Sequence, residues 1–249
     1  MTLLKVKNLK VYFPVYSGIM RKVTGYQKAV DDVSFELNEN EILAIVGESG
    51  SGKTTTARAI AGLVKTSGGT IEFPKPCQVQ MIFQDPGAAL NPRQKIREAF
   101  MEPLLYFKSE SPEQALKKAE EVIELLGLNK NMLDRYPHAF SLGQKQRLAL
   151  GRALMIDPKI ILCDEPVSAL DVSVQAQILT LILNLKKTLG LSFLFITHDL
   201  NVVQAIADRV VVMHQGKIVE EKTTHNLFLN PEADYTKKLL NAIPGKEYF

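Results

Sequence analysis

Ile42-Leu43-Ala44-Ile45-Val46-Gly47-Glu48-Ser49-Gly50-Ser51-Gly52-Lys53-Thr54-Thr55 runs from an apolar stretch into a glycine-rich one. The apolar run predicts a buried strand. Thr56–Ala61 after it predicts a helix. Strand, glycine loop and helix together turn G-x-x-x-x-G-K-T into a phosphate site. Gly47, Gly50 and Gly52 let the backbone fold tightly and expose successive N–H groups to one concave point. The helix N-terminus adds further N–H groups and partial positive charge. Lys53 can reach β- and γ-phosphates, and the Thr54 hydroxyl can ligate Mg²⁺.

The chain has 249 residues, enough for one large domain with a subdomain. At 46% apolar it can build a real core. Its 30 basic and 27 acidic residues leave a net charge of +3, which a phosphate-binding cleft accounts for without nucleic acid. Cys77 and Cys163 suggest neither a disulfide framework nor a zinc site. Charge interrupts the N-terminus at once, so it is not a signal peptide, and no apolar run approaches membrane-spanning length.

Val6–Phe13 alternates apolar and polar and predicts a half-buried strand. Pro14–Tyr26 reads as a loop, and Ala29–Leu37 as another strand. Beyond the first helix, Thr70–Phe73 is a short strand broken by Pro74 and Pro76, and Val79–Phe83 is a further one. From about 88 to 140 the spacing becomes helical. Ser111-Pro112-Glu113-Gln114 is a capping box opening the helix Glu113–Leu126. Ile160–Cys163 and Leu191–Thr197 predict buried parallel strands, with the amphipathic helix Ser173–Thr188 between them. A helix at 200–207, strands at 210–213 and 217–220, and two tail helices around 224–229 and 235–241 come next. Such alternation predicts an α/β fold with a mostly parallel sheet wound on both faces.

Asp164 and Glu165 come after the strand at 160–163, at the carboxyl end where parallel sheets place ligands. Asp164 there can hold Mg²⁺, and Glu165 can take a proton from water attacking a γ-phosphate. His198 comes after the strand at 191–197 and can donate to a γ-phosphate oxygen or orient the base. Gln84 comes after the strand at 79–83, and its amide can touch Mg²⁺ and the attacking water.

The order of these residues resembles the ATP-binding subunits of ABC transporters over nearly the whole chain. Gly47–Thr54 is similar to their Walker A loop, Gln84 to the Q-loop and Phe140-Ser141-Leu142-Gly143-Gln144 to the signature. Asp164-Glu165 is similar to Walker B with its glutamate, Ser168-Ala169-Leu170-Asp171 to the D-loop, and His198 to the switch histidine. The resemblance implies an ABC cassette of the P-loop NTPase fold over 1–249. Such a cassette has an antiparallel β subdomain, an inserted α-helical subdomain at about 88–155 and a short tail at about 224–249. It implies ATP and Mg²⁺ as cofactors. It also implies a head-to-tail pair, in which Ser141, Gly143, Gln144 and Asp171 of one subunit face the nucleotide on the other's loop. An aromatic stacks on adenine in this family, and Phe13 fits by position, with Tyr12 and Tyr26 open. Leu142 departs from the family's usual glycine.

Gln84-Asp85-Pro86 and then Leu90-Asn91-Pro92-Arg93, together with the tail Asn230–Pro244, resemble the peptide and nickel importers. The chain stops at Phe249 without the cysteine cluster some members carry, and so looks like the second, shorter ATPase of a two-ATPase importer. Its tail and Lys/Asn usage also resemble metal–staphylopine (metallophore) import. The expected partners are two integral-membrane permeases, a second ABC ATPase and an extracellular substrate-binding protein, with no direct nucleic acid. The expected place is the cytoplasmic face of the membrane. A non-transport ABC ATPase acting on nucleic acid or ribosomes is the alternative. Such proteins usually carry two cassettes or a long coiled-coil insert, and this chain has neither.

Overall fold

The computed structural model describes residues 1–17, 22–74, 78–108 and 110–243. Its first elements are β1 (Thr2–Ser17), β2 (Lys22–Asn38), β3 (Ile42–Val46), α1 (Lys53–Ile60), β4 (Gly68–Glu72) and β5 (Val79–Ile82). Helices α2 (Ile96–Pro103), α3 (Pro112–Leu125) and α4 (Leu142–Leu154) precede β6 (Ile160–Asp164) and α5 (Val172–Leu189). The chain continues through β7 (Ser192–Ile196), α6 (Leu200–Ile206), β8 (Arg209–His214), β9 (Lys217–Thr223), α7 (Thr224–Leu229) and α8 (Asp234–Asn241). It divides into two compact units, Met1–Cys77 with Ser192–Phe249, and Gln78–Leu191.

In the first unit β3 lies parallel between β7 and β8, and β9 closes the edge antiparallel to β8. Every residue of β3 and of β7 is buried, and all but Ser192 are apolar, as suits strands covered on both faces. Helices α6, α7 and α8 cover one face. Leu200, Val203, Leu227, Phe228 and Leu240 pack there with Ala44, Val46, Val210 and Val212. Each such large side chain contributes about 1.5–3 kcal/mol by leaving water. At the opposite end of β3, Arg209 donates to Glu41 at 2.6 Å and also pairs with Glu221. Asp208 there accepts the Ile42 N–H at 2.7 Å.

A second sheet in this unit has the order β2-β1-β4, all antiparallel. Here the loop expected at Pro14–Tyr26 is corrected. Pairing continues from Phe13↔Gln27 through Tyr16↔Val23 to Ser17↔Lys22. Beyond Val11 the ribbon is open to solvent on both faces, so no hydrophobic alternation marks it, and Val15, Tyr16, Val23 and Tyr26 are exposed. The part of that loop at 18–21, and likewise Pro76, Cys77 and Pro244, lies outside the described residues.

In the second unit β5 and β6 pair in parallel, Val79 opposite Ile160. Helices α2 to α5 make up most of the rest. Pro103 ends α2, and a single π turn, Leu104–Lys108, comes after it. The Ser111 capping box forms as expected, Ser111 accepting the Gln114 N–H at 3.3 Å. Two observed helices begin earlier than expected, α1 at Lys53 and α5 at Val172. The residue before each is its N-cap, Gly52 for α1 and Asp171 for α5.

Between β1 and β4 the register shifts at Asn8, which has φ 47°, opposite Gly69 with φ 82°. A Cβ on Gly69 would stand 2.3 Å from the Asn8 carbonyl oxygen. Gly69→Ala is therefore expected to destabilise the protein by at least about 2 kcal/mol, read by urea unfolding of the purified chain.

Candidate functional site

The candidate residues fall into two sets, one in each unit. In the first, β3 delivers the chain into the loop that precedes α1. Gly47, Gly50 and Gly52 all have positive φ, at 148°, 81° and 106°. Two of them are also squeezed. A Cβ on Gly47 would lie 2.2 Å from the Met213 carbonyl oxygen, and one on Gly52 would lie 2.3 Å from that of Ala29. The loop is thus wrapped by the backbones of β8 and β2, and only glycine fits at either point. The Gly216 N–H donates to Ser51 O at 3.0 Å and closes a third side.

Lys53 is buried and turns back into the loop, its Nζ donating to Gly47 O at 2.7 Å and Glu48 O at 2.8 Å. Gly52 caps α1 without a side-chain hydrogen bond, so the helix start is not closed by its own cap. The Ser51 hydroxyl is buried with no hydrogen-bond partner. A glycine cradle with a lysine inside it and an orphaned hydroxyl fits the phosphates of a nucleotide.

His198 is exposed just past β7, the strand paired with β3. It therefore stands at the same sheet edge as the loop. Thr197 and Asp199 hold that turn, the Asp199 N–H donating to Thr197 Oγ1 at 3.0 Å and Asp199 capping α6. Phe13 is 40% exposed, not core, and pairs with Gln27, two residues from the Ala29 carbonyl against Gly52. Tyr12 is engaged elsewhere, its hydroxyl on Asp31 and its ring beneath the Lys28 ammonium. Tyr26 is exposed.

In the second unit β6 is wholly buried and ends in Asp164, which is 4% exposed. Glu165 takes a left-handed φ of 49°, which costs a non-glycine residue about 1–2 kcal/mol. That turn swings its carboxylate out of strand direction, where Gln84 Nε2 donates to Oε2 at 3.4 Å. Ser168 returns to Glu165 O with both its N–H and its hydroxyl, at 3.4 and 3.1 Å, and fixes the turn. Burial, with the Asp164 charge adding to it, pushes the Cys163 thiol well above its ordinary range. It is a core group and not a nucleophile.

Ser141 caps α4 in a full capping box with Gln144, at 3.3 and 3.0 Å. Leu142 is exposed in the first turn, while Gly143 is buried, with Val174 Cγ1 2.3 Å from where its Cβ would be. Glycine there makes room for α5. Asp171 caps α5, accepting from the Val174 N–H at 3.0 Å and the Ser173 hydroxyl at 2.7 Å. The Ser173 hydroxyl and then the Val174 N–H hold its carboxyl below the usual range.

Among the described residues no three His, Cys, Asp or Glu cluster to hold a metal. A magnesium that arrives with phosphates needs only one or two protein ligands. Sequence reasoning missed Tyr235, whose hydroxyl accepts the Glu48 N–H at 3.0 Å. It missed Met213 and Ala29 as well. Their backbones shape the loop, and no local signal marks them.

Gly52→Ala combines a strained φ with a carbonyl clash, together on the order of 3 kcal/mol. The variant is expected to keep its far-UV circular dichroism and to bind a fluorescent nucleoside triphosphate about 100-fold more weakly in an equilibrium titration.

Residues 30–168 match the family model for ABC transporters. The chain is 43% identical to the oligopeptide transport ATP-binding protein OppF of Lactococcus lactis subsp. lactis, over 98% of this chain and 81% of that one. It is also 43% identical to the dipeptide transport ATP-binding protein DppF of Haemophilus influenzae, over 97% of this chain and 78% of that one. Among solved structures it resembles a dimeric post-hydrolysis state of the ATP-binding cassette MJ0796 bound to ADP and Pi. That likeness has TM-score 0.76 at 27% identity, over 89% of this chain and 99% of the other.

Proposed function

The chain belongs to the ABC transporter family, and from that membership we propose that it is an ATPase subunit driving a peptide importer through partner permeases. As a family member it binds ATP with Mg²⁺ and hydrolyses it. The observation that carries the reading is the glycine cradle pressed by Met213 and Ala29 around Lys53. Peptide cargo is supported by the names of the oligopeptide and dipeptide relatives.

In this reading the loop from Gly47 to Thr55 takes the phosphates, and Lys53 exchanges the Gly47 and Glu48 carbonyls for phosphate oxygens. Thr54, Gln84 and Asp164 are the groups for Mg²⁺, which when bound neutralises charge on the phosphoryl group being transferred. Glu165 takes the proton of the attacking water, and His198 donates to the γ-phosphate. Phe13 stacks on adenine, a role supported by its exposure and by its place in the hairpin beside the loop.

The cassette spans 1–249, with its helical subdomain at about 88–155 and its tail at about 224–249. It pairs with a second ABC ATPase. Ser141, Gly143, Gln144 and Asp171 face that partner's nucleotide, the α4 N-terminus lending its partial charge. The pair closes on ATP and opens after hydrolysis, because only the triphosphate favours the closed state. Cargo reaches the permeases from an extracellular binding protein, and the ATPase stays peripheral on the cytoplasmic face. Among the described residues no helix is long and apolar enough to cross a membrane. A groove of 260 Å³ in the second unit supports permease docking, with Met81, Phe83, Phe107 and Ala149 in its lining. Phe83 and Phe107 are exposed there, at 36% and 83%.

Glu165→Gln in the reconstituted transporter is expected to keep ATP binding and to lower kcat by at least about 100-fold. Hydrolysis at the parent rate would remove Glu165 from its role. Uptake assays in a deletion strain separate peptides from nickel and metallophore complexes, and peptide transport unaffected by the deletion would overturn the cargo. Leu142 stands where the family has glycine, and we infer that the composite site using it is the weaker of two. Leu142→Gly is then expected to raise turnover or ATP affinity, and no gain in either sinks that inference.

A further inference from the structure

Tyr235 sits in the first turn of α8, far along the chain from the phosphate loop, yet its hydroxyl accepts the Glu48 N–H at 3.0 Å. Its ring lies against His214, with centroids 4.0 Å apart and planes tilted by 31°. His214 ends β8 directly after Met213, whose carbonyl presses on Gly47. The tyrosine is therefore built into the same corner that shapes the loop.

The helix carrying it is well anchored. The Glu220 carboxylate is buried and accepts the N–H groups of Glu232 and Ala233, at 2.8 and 3.0 Å, just before α8 begins. Lys222 ties the same segment through Asn230 O at 2.7 Å and Glu232 at 2.8 Å. Further on, Leu240 and Ile243 are sunk in the core beside Ala44 and Val46. Val46 is the last residue before the loop. Nothing in this arrangement needs a hydroxyl on residue 235 for packing alone.

Glu48 is held through both of its backbone groups. Its carbonyl accepts Lys53 Nζ at 2.8 Å and the Ser51 N–H at 3.2 Å, and its N–H goes to Tyr235. On the reading that Gly47–Thr55 is the ATP site, Lys53 leaves those carbonyls when phosphates arrive. The loop then loses its cross-link through Lys53 just when its shape must be kept. The Tyr235 hydroxyl is neutral, carries no charge for the phosphates to compete for, and does not have to move. Burial and the nearby Glu48 charge keep the phenol protonated, against the pull of the Glu48 N–H.

We propose that Tyr235 is a positioning residue for nucleotide binding, holding the Glu48 peptide so that the loop keeps its shape once Lys53 has turned to the phosphates. The tail helix α8 thereby becomes part of the nucleotide site without touching the nucleotide.

The test uses the full chain titrated calorimetrically with MgATP and with MgADP. Tyr235→Phe keeps the ring on His214 and removes only the acceptor. It is expected to weaken both ligands by the same factor, about 3- to 10-fold, as one hydrogen bond commands. Its thermal midpoint should fall by no more than a few degrees, as loss of one hydrogen bond in the free protein allows, and in the reconstituted transporter KM for ATP should rise with kcat unchanged. Tyr235→Leu, which also removes the ring, should lower affinity and thermal midpoint together. Parent affinities in Tyr235→Phe overturn the proposal. So does a lowered thermal midpoint in Tyr235→Phe without loss of affinity, which would make the tyrosine a packing group. Lys53→Ala separates the two levels of inference. If it binds MgATP like the parent, the site reading itself fails. If it loses binding while Tyr235→Phe does not, only the role of the tyrosine falls.

Discussion

Two backbone oxygens set the shape of the phosphate loop. The carbonyls of Met213 and Ala29 stand so close to Gly47 and Gly52 that no side chain could occupy either position. A nine-residue glycine-rich segment would otherwise be the most mobile part of the chain, because glycine loses the most freedom on ordering. Here the ordering is enforced from outside, by β8 on one side and β2 on the other. The long β1–β2 hairpin thus does more than extend the fold. It supplies a wall of the cradle at Ala29 and carries Phe13 on the neighbouring strand.

The second unit solves a different problem, aiming carboxylates and helix ends. Glu165 leaves the strand through a left-handed residue, with Gln84 on its carboxylate and Ser168 on its carbonyl. Ser141 and Asp171 each cap the helix behind them. These are local devices, and each satisfies N–H groups that a bare helix end would leave unpaired. Their cost in conformational freedom is small, since each cap residue bonds only two or three residues ahead.

That contrast explains what could be read in the sequence. The strand at 42–46, its loop, the buried strand at 160–163 and the capping box at Ser111 are all short-range patterns of residue type. They were legible because their physics is short-range. The hairpin beyond Val11 was not, since a ribbon with both faces in water has no apolar period and is held by ladder hydrogen bonds alone. Gly143 reads as a nucleotide contact, and the structure adds that its missing side chain admits Val174. Tyr235 sits in an ordinary amphipathic helix, and its contact with Glu48 exists only once the core around Leu240 has formed. Partners brought together by tertiary packing leave no mark on their immediate neighbours.

The backbone twist at Glu165 also narrows the evolutionary choices open at that position. A φ of 49° excludes valine, isoleucine and threonine whatever their polarity, while asparagine, aspartate and glycine enter at little steric expense. Substitutions at this site are therefore sorted by branching at Cβ, with those three residues, or ones as unbranched as glutamate itself, fitting the turn. Backbone shape limits the choice of residue here before side-chain chemistry does.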